Sequence, residues 1–351
     1  MIYLEKDSIS NKELPEGCKL CREGSKLVLF VTGLCNFRCF YCPLSSAKKN
    51  KDVIYADERP VINEMDIIEE AILIDSKGAG ITGGDPLNVI ERTAHYIKFL
   101  KEYFGDNYHI HLYTATADIN KVKILSEAGL DEIRFHVPVS LWKKLKGSKY
   151  ENAIKLSKEY MKTGIEVPVL PDKKDELLKL IKDSEELGVD FINLNELEFS
   201  ETNYESLRIH KYRPKSYISS GVFGSQSLAR KIITENEFSI TVHYCSAAFK
   251  DAVQLRNRIK RRAKNVAKKY EIITKDGTLL FGTLECEDIE SVVEILNDMG
   301  VPGDLFEYDD AKHRINIAPW VIEDLELKGC KKYLIEEYPT YDRLEVERTP
   351  I

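Results

Sequence analysis

The sequence predicts an α/β protein: an open, partial barrel of six βα units followed by a smaller α+β appendage. Three observations carry that prediction. Residues 28–200 alternate between short apolar runs and longer amphipathic stretches, the pattern of parallel strands joined by crossover helices. Several of those stretches close on glycine, A-G-L at Gly129, T-G-I at Gly164 and L-G-V at Gly188, where left-handed backbone costs little. After Phe238 the alternation gives way to a mixed strand and helix pattern.

Taken in order, residues 1–27 form an N-terminal arm carrying a C-x2-C pair, and residues 28–200 form the barrel. Its strands are expected at Leu27 to Thr32, Gly78 to Thr82, His109 to Thr114, Glu132 to Val137, Glu166 to Leu170 and Phe191 to Leu197. Helices fall between them at Glu64 to Ser76, Thr93 to Tyr103, Lys121 to Glu127, Tyr150 to Thr163 and Lys174 to Leu187. Six units leave the barrel open, unlike the eight of a closed TIM barrel, and put the site at the carboxyl ends of the strands. Residues 201–235, with S-S-G-V-F-G-S inside, read as a connection over the barrel. Residues 236–351 read as the α+β domain: a strand at Ser239 to Tyr244, a basic helix at Ala247 to Lys269, a strand pair at Glu271 to Thr283, a helix at Ile289 to Met299, then a strand and a terminal helix.

At 351 residues the chain can bury a sizeable core. No apolar run approaches the roughly 20 residues of a membrane span. The N-terminal M-I-Y-L-E-K-D-S lacks a basic segment followed by an apolar one, so a cytoplasmic protein without a membrane partner is expected. A net charge of −7 offers no global attraction for nucleic acid. Five of the eight cysteines precede residue 43, which argues for metal chemistry over disulfides.

Three of those cysteines, Cys35, Cys39 and Cys42, stand in V-T-G-L-C-N-F-R-C-F-Y-C-P directly after the first strand. The C-x3-C-x2-C spacing puts three thiolates on one loop, which suits a cubane [4Fe-4S] cluster with one iron left for chemistry. The alternative is a structural zinc site, which would need a fourth ligand. One βα unit downstream, on the next strand, lies G-G-D-P, Gly83 to Pro86.

These two motifs together resemble the radical S-adenosylmethionine (AdoMet) superfamily, in a form similar to archaeal proteins related to pyruvate formate-lyase-activating enzymes. The aromatic Tyr41 before the last cysteine fits the same motif. The resemblance spans roughly residues 28 to 200 and implies a TIM-like partial barrel of the radical SAM type. It implies that Cys35, Cys39 and Cys42 hold the cluster and that Gly83, Gly84, Asp85 and Pro86 support the AdoMet amino group. Asp85 stands where the family carries Glu. It implies an enzyme that cleaves AdoMet reductively to a 5′-deoxyadenosyl radical, which abstracts hydrogen from a substrate, with electrons from a ferredoxin or flavodoxin. A dry barrel interior would protect that radical.

Other strand ends are candidates for the AdoMet site. Thr114 stands where similar proteins carry Thr-Asn-Gly, here Thr-Ala-Thr. Arg134 and His136 share one face of the fourth strand; Arg134 would pair either with the AdoMet carboxylate or with a neighbouring acid in the barrel. His136 and His109 read as core or rim histidines. In the sixth strand, F-I-N-L-N-E-L-E-F, Asn195 and Glu196 would contact substrate or the AdoMet ribose, or cap the connection that follows. The family's G-x-I-x-G adenine strand is replaced by G-I-E-V-P-V-L-P.

A second metal site is expected where Cys18 and Cys21 of the arm could meet His243 and Cys245, giving a Cys3His set for Zn2+ or a second iron–sulfur cluster. Cys286 and Cys330 read as packing residues. The run Lys250 to Lys269 holds nine cations against Asp251 and is either an RNA-gripping face or a solvated one. The functional expectation is a radical AdoMet enzyme acting on a macromolecule, tRNA or protein. Two alternatives stand beside it: a glycyl-radical-enzyme activase, and a non-catalytic metal-bound RNA-binding module.

Overall fold

A computed structural model of the chain describes residues 1–327 and 329–351. It divides into two compact units, Met1–Ile72 with Ser76–Leu255, and Leu73–Asp75 with Arg256–Ile351.

The first unit opens with strands β1 (Ile2–Tyr3) and β2 (Ile9–Ser10), then helix α1 (Glu16–Glu23). The barrel strand β3 (Lys26–Phe30) follows, then a small hairpin of β4 (Tyr55–Ala56) and β5 (Arg59–Pro60). The βα units continue through α2 (Glu64–Leu73), β6 (Gly78–Thr82), α3 (Ile90–Phe104), β7 (His109–Thr114), α4 (Ile119–Glu127), β8 (Glu132–Phe135), α5 (Lys149–Ser157), β9 (Lys162–Val169), α6 (Lys174–Glu186) and β10 (Phe191–Glu196). Beyond them lie α7 (Tyr204–Ile209), a separate hairpin of β11 (Pro214–Ser216) and β12 (Ser219–Val222), α8 (Ser225–Glu235), β13 (Thr241–Cys245) and α9 (Ala247–Phe249).

The sheet order is β1-β2-β13-β10-β9-β8-β7-β6-β3-β4-β5, and every pair from β3 to β13 is parallel. The partial barrel thus has seven parallel strands, not six. The expected boundary at residue 236 is corrected: Thr241–Cys245 completes this sheet, with Asn193 opposite His243, and the unit runs to Leu255. An isolated apolar strand after a long connection reads the same whether it opens a new domain or returns to the old sheet. The arm is not separate either, because β2 pairs antiparallel with β13, Ser10 opposite His243.

Strand alternation sorts the barrel into two faces. Leu27, Leu29, Ile81, Leu112, Ile133, Ile165, Ile192 and Val242 are fully buried on the outer face, beneath the helices. Each such side chain stabilises the fold by about 1.5–3 kcal/mol. The other face points inward and is polar, as described below. Helix starts are capped where the sequence offers it: Asp118 accepts from the backbone of Asn120 and Lys121, and Ser148 accepts from Tyr150. Gly129 and Gly188 are left-handed after their helices, as expected. Gly164 is not: it lies within β9, where a Cβ would fall 2.2 Å from the Phe191 ring.

The second unit contains α10 (Arg256–Val266), β14 (Ile272–Ile273), β15 (Leu279–Cys286), α11 (Ile289–Asp298), β16 (Phe306–Asp309), β17 (Arg314–Ile317), α12 (Pro319–Ile322), β18 (Cys330–Glu337) and β19 (Glu345–Pro350). Its sheet is antiparallel around β15, packed on a core that includes Leu284, Leu296, Ile315, Ile317 and Ile322. The chain ends in a strand where a helix was expected, because β19 finds a full ladder against β18.

Two further expectations change here. Cys286 and Cys330 stand directly opposite one another in the β15–β18 ladder and form a disulfide; pairing across 44 residues leaves no mark in sequence. The basic run is not one helix. Lys250–Leu255 is a π-turn and α10 is a separate helix. Arg256 pairs with Asp276, Lys268 with Glu307 and Lys269 with Asp304, while buried Arg262 donates to the Pro339 carbonyl. Much of its charge already faces carboxylates of the same chain, which weakens the support for an RNA-gripping face.

Candidate active site

The cysteine loop leaves the carboxyl end of β3, and its base is tied down by groups that sequence reading missed. Arg92 donates to the Val31 carbonyl at 2.9 Å and forks onto both oxygens of Asp52. Asp52 also accepts from the Thr32 hydroxyl at 2.8 Å, and the Arg92 bonds hold its carboxyl down at about 2.

The Gly83-Gly84 run zips onto this loop through backbone. Gly84 N–H donates to the Thr32 carbonyl at 2.7 Å and Asp85 N–H to the Leu34 carbonyl at 2.9 Å. A Cβ on Gly84 would sit 2.4 Å from the Leu34 oxygen and 2.6 Å from the Gly33 oxygen. Only glycine lets the two chains approach this closely. Pro86 opens the short turn that follows, and Asn88 reaches back to the Leu34 carbonyl.

Asp85 and Thr114 turn to each other. Asp85 is fully buried and accepts from the Thr114 hydroxyl at 2.7 Å, the Thr116 hydroxyl at 2.8 Å and Leu87 N–H at 3.1 Å. Both departures from the family pattern, Asp for Glu and Thr-Ala-Thr for Thr-Asn-Gly, belong to this one knot. Reading them as a pair was the signal available in sequence.

Cys35, Cys39 and Cys42 are each half-buried. Burial pushes the Cys35 and Cys39 thiols up, so to act as thiolates they would need a nearby positive charge of the kind bound iron supplies. Among the described residues no three His, Cys, Asp or Glu side chains converge on one ion, the loop thiols included. A cubane does not require convergence, since each thiolate binds a different iron and the three sulfurs spread around it. Three half-buried thiols on one loop, backed by a backbone cradle that a Cβ would fill, fit such a cluster.

Tyr41, between two of these cysteines, is buried, and its hydroxyl meets His136 Nε2 at 2.9 Å. His136 Nδ1 lies 3.1 Å from the Glu166 carbonyl, which can only accept, so Nδ1 carries the proton and Nε2 takes the Tyr41 hydroxyl. Cys39 Sγ is 3.9 Å from the same Nε2. His136, expected to be a core or rim histidine, therefore stands at the cluster loop. Asn203 is a second missed residue: buried, it donates to the Tyr41 and Glu198 carbonyls at 3.0 Å each.

Of its two expected partners, Arg134 pairs with neighbouring acids. It is 2 % exposed and held by Glu132, by Glu166 at 2.9 Å and by the Tyr113 hydroxyl at 3.1 Å. Asn195 donates to Glu166 at 2.8 Å, and Glu196 accepts from Ala247 N–H at 2.9 Å, capping the segment after β13.

Below this mouth the inner face is a closed polar network around α1. Lys26 bonds His111 and His109; burial holds Lys26 down at about 8 and His109 at about 4. Cys18, Cys21, His243 and Cys245, where a second metal site was expected, reach this network. Asn193 donates to Cys18 Sγ at 3.2 Å and accepts from His243 Nδ1 at 3.3 Å, while Gln254 donates to Cys245 Sγ at 3.6 Å. Burial pushes Cys18 up to about 12 and His243 down to about 4, so both stay neutral. The Asn193 amide joins Cys18 to His243, and among the described residues no three of these side chains converge on one ion.

Residues 29–183 match the family model described as the radical SAM superfamily, and residues 277–351 match one described as a domain of unknown function (DUF8061). The chain belongs to the radical SAM superfamily: it is an enzyme that uses a [4Fe-4S] cluster to cleave AdoMet reductively and abstract hydrogen from a substrate. A protein of Methanocaldococcus jannaschii is 43% identical over 99% of this chain and 95% of its own length, and carries the provisional name glycyl-radical enzyme activating enzyme. Among solved structures, Streptococcus suis SuiB matches at 13% identity and a TM-score of 0.43, over 74% of this chain and 56% of that one. Methylornithine synthase matches at 13% identity and a TM-score of 0.42, over 63% and 70%. Among the described residues no helix is long and apolar enough to cross a membrane.

Proposed function

We propose that this chain activates a protein partner by taking one hydrogen atom from a backbone glycine. The observation that carries this reading is the 43% identity, along nearly the whole chain, to a protein named for glycyl-radical activation. The ion pairing of Arg256, Lys268 and Lys269 in the basic run supports it from the other side, since it weakens the argument for tRNA.

In this reading Cys35, Cys39 and Cys42 hold the cluster, and Tyr41 with Gly83 to Pro86 frame AdoMet beside it. A cluster held there would supply the electron that cleaves the AdoMet sulfonium to methionine and a 5′-deoxyadenosyl radical. The chain's own residues orient and shield. The Gly83-Gly84 backbone and the Asp85–Thr114–Thr116 knot set the height of the loop, while His136 and Asn203 hold Tyr41. The buried network beneath keeps water out of the interior. The glycine Cα–H bond breaks evenly, its hydrogen goes to the 5′ carbon, and one unpaired electron stays on the partner. The reducing electron would come from a cytoplasmic ferredoxin or flavodoxin.

The test is anaerobic incubation of the reconstituted enzyme with AdoMet, dithionite and host extract, read by electron paramagnetic resonance. A carbon-centred doublet on a protein is expected, collapsing when that protein is made with α-deuterated glycine. Hydrogen loss from a nucleoside of tRNA, with no protein radical, would overturn the proposal.

A further inference from the structure

The connection after β10 holds a feature that AdoMet cleavage does not use. Residues 206–234 contain no Asp or Glu, yet carry Arg208, Lys211, Arg213, Lys215, Arg230 and Lys231, within a chain of net charge −7. At the centre of this stretch β11 and β12 form a hairpin, Ser216 opposite Ser219, so the loop is Tyr217-Ile218. Two-residue hairpin loops favour Gly, Asn and Asp for their backbone freedom. Here both places hold large apolar residues, and both are essentially fully exposed, Ile218 at 98 %. Neither helps the turn form, and neither packs on the protein.

The hairpin stands at the mouth of the barrel. The His210 ring lies 3.9 Å from the ring of Phe40, the residue between Cys39 and Tyr41, and Tyr212 stacks beyond it. Thr202 donates to the Leu44 carbonyl at 2.8 Å. Arg213 lies over Phe223, 4.1 Å from its ring centre, leaving a mixed cationic and apolar surface. Pro214 and Lys215 on β11 disfavour pairing of another strand along that edge, so recognition falls to side chains.

We propose that this hairpin is the docking arm for an extended segment of the protein substrate, one that sets apolar side chains between carboxylates. Tyr217 and Ile218 supply the apolar anchors and Lys211 and Arg213 the complementary charge, joined by Arg208, which lies 3.9 Å from exposed Glu205. An aliphatic anchor favours a protein over RNA, whose bases would call for stacking rings in place of Ile218. The inference rests on the protein-substrate reading above.

The experiment is selection of short random phage-displayed peptides on the reconstituted full chain with AdoMet, followed by affinity measurements on the enriched peptides. Peptides pairing apolar residues with Asp or Glu are expected. Affinity should fall at least about tenfold in Tyr217→Ser/Ile218→Ser. A smaller loss, with a flatter salt dependence, is expected in Arg208→Glu/Lys211→Glu. Iron and sulfide per chain report that each variant is folded. No enrichment, equal binding to the variants, or hairpin-dependent binding of bulk tRNA would overturn the docking arm. The two proposals fail separately. A glycyl radical formed equally well by Tyr217→Ser/Ile218→Ser sinks the arm alone, whereas hairpin-dependent peptide binding without any protein radical sinks the activation reading alone.

Discussion

The two ends of the barrel are built on opposite plans. At the carboxyl mouth the cysteine thiols are half-buried, and the contacts that shape the loop fall largely on its backbone: Gly84 N–H on Thr32, Asp85 N–H on Leu34, the Asn203 side chain on Tyr41. Toward the amino end the side chains themselves are spent: Arg134 on Glu132 and Glu166, Lys26 on His111, Asn193 on Cys18. Cysteines occur in both places. Burial and prior commitment, not residue type, separate the two sets of cysteines.

The largest expected contrast lies between cysteines of the two ends. Cys39→Ala should lose most of the iron and sulfide retained after anaerobic reconstitution, while Cys18→Ala keeps both. Loss of iron in Cys18→Ala with an intact fold would erase the distinction.

Next comes the buried ion pair. Glu132→Ala strands the Arg134 charge beside Glu166 alone and should cost about 3–5 kcal/mol in urea unfolding. The cysteine loop, tied to β3 and β6, should still take up iron. A cost below about 1 kcal/mol would mean that the floor is wetter than its burial implies.

A pH series sharpens the same comparison. His109 and His243 are both held near 4 by burial, below the ordinary 6.5. An unfolded chain therefore binds protons that the folded one refuses, and stability should fall as pH drops from about 6.5 towards 4, by up to about 3 kcal/mol per histidine. His243→Gln should flatten part of that slope in urea midpoints taken across the range. An unchanged slope would place the titration elsewhere.

The smallest effect is expected at the knot. Asp85→Asn keeps the shape but weakens two charge-assisted bonds, for about 1–2 kcal/mol of stability. AdoMet affinity, by equilibrium dialysis, should stay within about threefold because the carboxylate faces Thr114 and Thr116. A tenfold loss would return Asp85 to direct AdoMet contact.

How much of this could be read beforehand follows from range. Local signals survived: strands Gly78–Thr82 and His109–Thr114 lie where periodicity put them, and the C-x3-C-x2-C loop leaves a strand end as its spacing implies. Long-range partnership did not. The return of Thr241–Cys245 to the first sheet, the Cys286–Cys330 pairing and the His136–Tyr41 contact each join residues that nothing in the local pattern links. One long-range convergence was legible from residue type alone: Cys18 and His243 do come together, joined by the Asn193 amide that the local pattern did not announce.

The most direct measurement is the product of the mouth itself: 5′-deoxyadenosine and methionine formed when the anaerobically reconstituted chain receives AdoMet and dithionite. Equal amounts of the two, formed by the native chain and by Cys18→Ala but not by Cys39→Ala, are expected. A fully iron-loaded chain that binds AdoMet yet yields neither product would contradict the assignment.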